Sequence, residues 1–520
     1  MLSAHQNLSL APFSASNAEW PVESIVYCDD DGSTKLAISL TSQLMNSAPT
    51  DAIQRIAVIG GGISGLAAAH RVAELRPSAR VTLFEASDRV GGVLATIRRD
   101  GYLIERSADM FTTKDPWALD LCRRVGLEDQ LLNTNEAFRR AFVVHHGKLV
   151  PVPEGFTLMS PARILPVLKT PLLSWSGKAR LAWERFVPTR RDQSDESLHD
   201  FAMRRLGREV YERLVQPLIG GIYTADPTKL SMHAAMPEFV AMEKEFGNLT
   251  RGVQEKATKA KREGTGARYG MFLGLRDGMG SLVDAIVRHL PDGCLHLNSA
   301  VQSVRRHENH WQVEVADAAQ TRHEFDALIL AVRAPHAAAL LRDVDVELSQ
   351  ELANIQYASA AVPILGYRRD QIAHPLDGFG FVVPFVEKRQ ILSGSFTSMK
   401  FPGRAPDDSV LFRVFIGGAC QEELAGLPNE QLYEIAQREL AELLDIRGEP
   451  QVRELVRWNK AMPQYHLGHL DRVARIEQLA AKLPLFALAG NAYRGVGIPF
   501  CVRSGELAAE LVCRDAYDSD

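Results

Sequence analysis

The chain has 520 residues and a mass of 57.5 kDa, too long for one ordinary core; at roughly 150 residues per domain about three domain-sized units are expected. Hydrophobic residues at 46% and charged residues at 24% exclude a wholly disordered, collagen-like or low-complexity protein. A formal charge of -5 denies the chain the global basic field of a nucleic-acid binder, so no nucleic-acid partner is expected.

The six cysteines (Cys28, Cys122, Cys294, Cys420, Cys501, Cys513) are scattered, without a C-x-x-C pair or a Cys/His cluster at metal-ligand spacing. They read as reduced thiols in a cytoplasmic setting, with no structural metal. The longest uncharged apolar segment, IAVIGGGISGLAAA, is 14 residues and glycine-rich, short of the 18 or more that a membrane-spanning helix needs. Membrane contact, where it exists, is expected to be peripheral. Residues 1–50 contain one basic residue, Lys35, and no arginine, which fits neither a secretory signal nor a mitochondrial transit peptide. A disordered leader is expected there, with Met45 as a second candidate start.

From Arg55 the chain reads RIAVIGGGISGLAAAHRVAELRPSARVTLFEASDRVGG. A β-branched run, Ile56 to Ile59, meets three glycines, an alanine-rich helical pattern and a second apolar run ending on Glu85, which is a βαβ unit. Gly60, Gly62 and Gly65 stand at the three positions of G-x-G-x-x-G: one for the tight turn, one for backbone approach to a pyrophosphate, one for helix–strand packing. Ser64 lies in the first turn of the helix, whose N-terminus faces the phosphates. Glu85, 20 residues after Gly65, is spaced to accept hydrogen bonds from a ribose. The continuation to Arg89, Gly91 and Gly92 resembles the E-x-x-x-R-x-G-G of FAD-binding amine-oxidase-type flavoproteins and selects FAD over NAD. Arg89 is expected to neutralise phosphate, and Gly91 and Gly92 to let the backbone pass close beneath the cofactor.

Farther along, residues 299–304, 311–315 and 326–331 alternate like strands returning to this unit, with Val301 at the cofactor. The segment FALAGNAYRGVGIPFCVRSGELAAELV then offers a strand at Leu485 to Leu488, backbone freedom at Gly490, Gly495 and Gly497, and a helix from Ser504 to Val512. FAD is therefore expected to be clamped by both ends of the chain, and the cofactor domain to be discontinuous.

The runs FAMRRLGREVYERLVQPLIGGIYTADPTKLSM (201–232), PLDGFGFVVP (375–384), SGSFTSMKFPGRAP (393–406), PQYHLGH (463–469) and GNAYRGVGIPFC (490–501) together resemble oxygen-dependent protoporphyrinogen oxidase, over residues 55 to 513. The resemblance implies non-covalent FAD and removal of six electrons from a porphyrinogen in three two-electron steps, with O2 reoxidising the flavin to give H2O2. Hydride passes to flavin N5, so no catalytic side chain is needed. It also implies cofactor contacts from Trp458, Gly490, Val496, Gly497 and Ile498, and substrate contacts from Gly220, Gly221 and Phe379, the last stacking on a pyrrole ring unless it is core. A carboxylated substrate needs a cation, yet in FRRAFVV (138–144) Ala141 stands where the family places arginine, and Arg140 is only a neighbour, expected on the other face of a strand. Ser107-Ala108, in place of Gly-Pro, and Phe500, in place of aspartate, also depart from the pattern.

Residues 156–187 carry Leu165, Leu168, Leu172, Leu173, Trp175 and Trp183 in short helical patterns, with five basic residues against the single acid Glu184. That charge reversal suits either an interfacial lobe or a cap over the substrate. Residues 251–268 show no apolar periodicity and read as a loop. His145-His146 is expected in a hairpin, and His466 and His469 in solvent or packing.

The expected architecture is α/β and α+β. A Rossmann-like discontinuous FAD-binding domain (52–105, 270–340, 450–513) joins a mixed-sheet substrate domain (106–150, 341–449) and a helical membrane-facing lobe (151–245). Expected partners are the porphyrinogen, O2 and the cytoplasmic membrane surface, and a homodimer is left open. Coproporphyrinogen III is the alternative substrate. An amine oxidase or carotenoid desaturase is a further alternative, disfavoured in the first case by the absence of lysine from 335 to 387.

Overall fold

Five short runs of β-branched and apolar residues, each bounded by polar or glycine positions, assemble into one parallel sheet. In order across the sheet they are Leu295–His296, Arg80–Phe84, Arg55–Ile59, Ala327–Leu330 and Phe486–Leu488. The computed structural model describes residues 55–161, 163–192, 194–262, 272–316 and 321–514; the expected leader lies outside them.

Ile56, Val58, Val81, Leu83 and Ile329 point to one face of this sheet, where the helices Ile63–Leu75, Gly280–Arg288 and Ile498–Cys513 cover them. Ala57, Ile59, Leu328 and Leu330 point to the other and pack on Trp311, Val313 and Phe325 of an antiparallel meander, Val301–His307, His310–Val315 and Arg322–Phe325. Alternation of period two thus puts every second residue of a strand into a different core. Segments expected to return as sheet strands form this meander, and only Ala327–Leu330 joins the parallel sheet.

A second sheet of seven strands runs Val452–Pro463, Tyr357–Arg368, Ser409–Gly417, Ser393–Phe396, Gly380–Val382, Phe142–His145 and Lys148–Pro151. Neighbours are antiparallel except Gly380–Val382 beside Phe142–His145. Phe381, Phe396 and Phe412 fill its core with Leu432, Ala436 and Leu440 of the helix Asn429–Leu444. The strand Val452–Pro463, expected in the cofactor domain, belongs to this sheet. Conversely, the helix Trp117–Arg124, expected with the substrate domain, buries Ala118, Leu121 and Cys122 against the cofactor core. His145 and His146 sit at the Phe142–His145 and Lys148–Pro151 hairpin, as expected.

The helical lobe has its own core of Phe201, Leu206, Leu214, Ile219, Phe239 and Met242. At its centre the fully buried Glu184 and Arg205 form an ion pair. Arg205 also donates to the carbonyls of Val187 (2.8 Å) and Gly247 (2.9 Å), and Glu184 accepts from the backbone of Leu249 (2.8 Å). That last bond starts a helix over Leu249–Arg262, where a loop was expected. Of its first turns Leu249, Gly252 and Val253 are buried, and only two of these are large apolar side chains, too few to produce a visible period. Among the described residues no helix is long and apolar enough to cross a membrane.

Candidate cofactor and substrate site

The glycine turn is built as its spacing implies. Gly60 adopts φ 106°, and its N–H donates to Phe84 O (2.8 Å), tying the two strands at the turn. A Cβ on Gly65 would lie 1.9 Å from Gly60 O, and one on Gly505 would lie 2.1 Å from Ser64 O. Glycine at 65 lets the turn close on its helix, and glycine at 505 lets the C-terminal helix pack into that helix. Gly91 forms a bridge with Gly62 and donates its N–H to Gly61 O (2.8 Å), with φ 96°.

Two helices begin beside this turn, with Gly62 and Gly497 as their N-cap residues, and neither has a side-chain cap. A Cβ on Gly62 would meet nothing within 4 Å. Helix N-termini without side-chain caps, the one at Gly62 with open space above it, offer unpaired N–H groups and a positive dipole end to an anion. Glu85 ends the second strand, where its carboxylate accepts from Gly61 N (2.7 Å), Ser87 N (2.9 Å) and Ser87 Oγ (2.7 Å). Gly62, Ser64, Gly497, Ile498 and Glu85 are the residues that could hold the pyrophosphate and ribose of a dinucleotide.

Arg89 differs from expectation. Its guanidinium folds back on its own loop, donating to the carbonyls of Val90 (3.0 Å), Gly92 (2.6 Å) and Leu94 (3.3 Å), so it shapes the loop. The C-terminal helix also begins six positions before Ser504, at Ile498, with Pro499 in its first turn, where proline loses no hydrogen bond. Ser504 instead donates nothing to a cap; its Oγ accepts from Gly490 N (3.0 Å), while Gly490 takes φ 140°. Val496 contacts the helical lobe, and Val301 opens the meander opposite Val315.

Several buried groups carry no signal in local sequence. The strap after Tyr102–Glu105 is locked to the seven-stranded sheet: Trp458 Nε1 donates to Arg106 O (3.2 Å), Arg413 donates to Ser107 O, and Lys400 Nζ reaches Asp109 at 2.9 Å. Burial works against the Asp109 carboxylate, but the Lys400 and Arg413 charges outweigh it and lower its pKa. On the neighbouring strand Glu105 accepts from Thr96 Oγ1 (2.7 Å) and Met279 N (2.8 Å), and burial raises its pKa. Tyr465 donates to Asn491 O (2.6 Å) and accepts from Gly495 N (2.9 Å), fixing the glycine-rich turn before Ile498. His469 stacks on Tyr465 with centroids 4.1 Å apart. Trp458 is thus a strap clamp on the sheet, placed by the pairing of its strand with Tyr357–Arg368.

On the substrate side, Gly221 lies on the helix Gln216–Tyr223, where a Cβ would approach Val382 at 3.7 Å. Gly220 and Gly221 line a cleft with Val383, Phe385 and Leu392, which is an apolar wall. Phe379 is buried; its N–H donates to Arg140 O (2.8 Å), and its carbonyl accepts from Phe396 N (2.9 Å). Arg140 precedes the strand, which starts at Phe142, and is half-exposed in an ion pair with Asp377 at 3.1 Å. The structure therefore brings Gly60, Gly62, Ser64, Gly65, Glu85, Gly91 and Gly92 into one cradle, and separately brings Gly220 and Gly221 to the seven-stranded sheet.

Residues 63–513 match the model of the flavin containing amine oxidoreductase family. The chain is 33% identical over 467 residues to the coproporphyrinogen III oxidase of Bacillus subtilis, covering 88% of this chain and 98% of that one. It is 28% identical over 492 residues to protoporphyrinogen oxidase 2 of Arabidopsis thaliana, covering 88% and 94%. A crystal structure from Exiguobacterium sp. 255-15, assigned as a protoporphyrinogen oxidase, superposes with a TM-score of 0.79 at 29% identity, covering 88% of this chain and 98% of that one. A glycine cradle with two open helix ends and an acid at the strand terminus, found inside a match of this extent, leads to one conclusion: the chain belongs to the flavin-containing amine oxidoreductases, with FAD as its cofactor.

Proposed function

We propose that this protein oxidises a porphyrinogen to the corresponding porphyrin, with O2 as the electron acceptor and H2O2 as the by-product. The observation that carries the reading is the pairing of the FAD cradle with near full-length similarity to proteins named for porphyrinogen oxidation. FAD, bound non-covalently, supplies the hydride acceptor at N5. The protein's share is to bind and orient. Glu85 and the helix ends at Gly62 and Gly497 hold the dinucleotide, and the strap clamped by Trp458, Arg413 and Lys400 ties the cofactor fold to the substrate sheet. Val383, Phe385, Leu392 and the Gly220-Gly221 backbone supply apolar surface beside the seven-stranded sheet against which a macrocycle could be oriented.

Protoporphyrinogen IX is the substrate we assign, on the resemblance of the runs at 201–232, 375–384, 393–406, 463–469 and 490–501 to oxygen-dependent protoporphyrinogen oxidase. The greater identity to the Bacillus subtilis protein, 33%, favours coproporphyrinogen III as a second reading. Incubating the purified protein with each porphyrinogen and following porphyrin fluorescence decides between them; fluorescence growth with neither refutes the proposal.

The same reading includes peripheral membrane binding on the cytoplasmic side through the helical lobe. Leu165 (63%), Trp175 (76%), Trp183 (60%) and Phe186 (66%) are strongly exposed, and Lys178 Nζ lies 4.7 Å over the Trp175 ring. The buried Glu184–Arg205 pair fixes the short helix Trp183–Phe186 that presents two of these rings. Exposed aromatics beside basic side chains suit an anionic lipid interface. Co-sedimentation with phosphatidylserine vesicles tests this, and recovery of all protein in the supernatant refutes it.

A further inference from the structure

A second cleft lies on the opposite face of the parallel sheet from the helix Ile63–Leu75. Strand alternation sends Val81 and Leu83 to the helix side and Thr82 and Phe84 to the meander side. The meander covers the centre of that face but stops short of the edge, so a gap opens between Arg80–Phe84, Leu295–His296 and Arg322–Phe325. Its volume is about 380 Å³, within the range of small-molecule pockets, roughly 300–1,000 Å³.

The lining is rich in nitrogen donors. Arg55, Arg80 and Arg322 reach it from three strands, with His296, His323 and the amide of Gln312 between them, and Glu324 is the one acid on the wall. Arg55 and Arg322 each hold a carboxylate from one side, Asp326 at 3.8 Å and Glu314 at 3.4 Å. Glu324 is turned to His310 at 3.4 Å. Arg80 makes no ion pair among the described residues. Both imidazoles are held in place by the same ring, with centroids 5.5 Å and 5.6 Å from that of Phe84. On the lining itself three guanidiniums stand against one carboxylate, Asp326 and Glu314 hold two of the three from one side, and the donors are mounted on strands.

We propose that this cleft binds a compact polyanion carrying two or more phosphate or carboxylate groups. Guanidinium forks brought to one cleft from separate strands suit such groups, since each fork can engage one anionic end bidentately. The site is distinct from the FAD cradle but adjoins it through one peptide: His296 O accepts from the backbone N–H of Glu85 at 2.9 Å.

The test is calorimetric titration of the holoenzyme with inorganic pyrophosphate and, separately, with citrate, on the wild type and on an Arg80→Gln/Arg322→Gln double variant. Both substituted side chains are exposed, and neither touches the FAD cradle or the substrate wall. Saturable binding at one site is expected for at least one probe, weakened by added salt and by roughly tenfold or more in the double variant. Flavin content and oxidase activity should be unchanged. Which probe binds tells phosphate from carboxylate ligands. Absence of saturable binding for both, or equal affinity in the double variant, overturns the proposal, as does soaked pyrophosphate density located elsewhere.

Discussion

Gly62→Ala should separate cofactor binding from folding. Gly62 sits at φ −69° and ψ 173°, an extended conformation open to any residue, and its Cβ would meet nothing within 4 Å. Two terms act on the flavin-free protein. Alanine narrows the unfolded ensemble, worth about 0.4–1 kcal/mol of stability, but is a poorer N-cap than glycine, costing about the same. The net change in unfolding free energy should stay within about 0.5 kcal/mol. In the holoprotein the new methyl stands where the open helix end meets the pyrophosphate. Losing one hydrogen bond to a charged group costs about 1.5–3 kcal/mol, or about 10- to 150-fold in Kd for FAD. Gly65→Ala is the contrast: its Cβ would lie 1.9 Å from Gly60 O, so backbone must move and the apoprotein itself should lose about 1–3 kcal/mol. Urea unfolding of flavin-stripped protein and FAD fluorescence titration measure the two quantities. A Gly62→Ala protein that binds FAD as tightly as wild type, or that is destabilised like Gly65→Ala, would refute the cradle.

Phe379→Ala should lower kcat/KM by about 5- to 150-fold if the ring stacks on substrate, taking base–aromatic stacking as the analogue, with flavin content retained; loss of flavin together with folding would show the ring to be core. Glu184→Gln leaves Arg205 buried without its carboxylate and should cost about 3–5 kcal/mol by urea unfolding, and an unchanged midpoint would contradict that. Lys178→Ala should weaken partitioning to phosphatidylserine vesicles about fivefold; partitioning indifferent to salt would point to another surface. Burial pushes the His469 imidazole down to about 4, against a hydrogen bond to Tyr493 O at 2.9 Å. The unfolded chain then binds the proton more readily between about pH 4 and 6.5, so this stability is present above that window and falls by about 3 kcal/mol as the pH drops through it. His469→Gln should flatten the slope, and a wild type that grows more stable on acidification to pH 4 would reverse the sign.

The cofactor fold was legible because its signals are local. Gly60, Gly62, Gly65 and Glu85 fall within one βαβ unit, where spacing along the chain translates directly into position. For Arg89 charge alone suggests a phosphate role, whereas the structure adds three loop carbonyls within five residues that its guanidinium also engages. The start of the last helix was placed too late because Val496 to Phe500 combine glycine and proline, which read as a loop although Pro499 suits a first turn. The strap clamp was invisible: Asp109 and Lys400 are 291 positions apart, and only the tertiary packing of the strap on the helix Thr397–Lys400 brings them to 2.9 Å. The strand Val452–Pro463 was assigned to the wrong domain for a related reason, since its pairing with Tyr357–Arg368 is a property of topology and not of its own pattern.

The most direct test of the central claim is anaerobic mixing of the holoprotein with protoporphyrinogen IX or coproporphyrinogen III while flavin absorbance is recorded. Bleaching of the flavin by at least one of them, followed on admitting air by recovery of the oxidised spectrum, H2O2 and porphyrin fluorescence, is the predicted result. Flavin that stays oxidised with both porphyrinogens but bleaches with a primary amine would contradict the account.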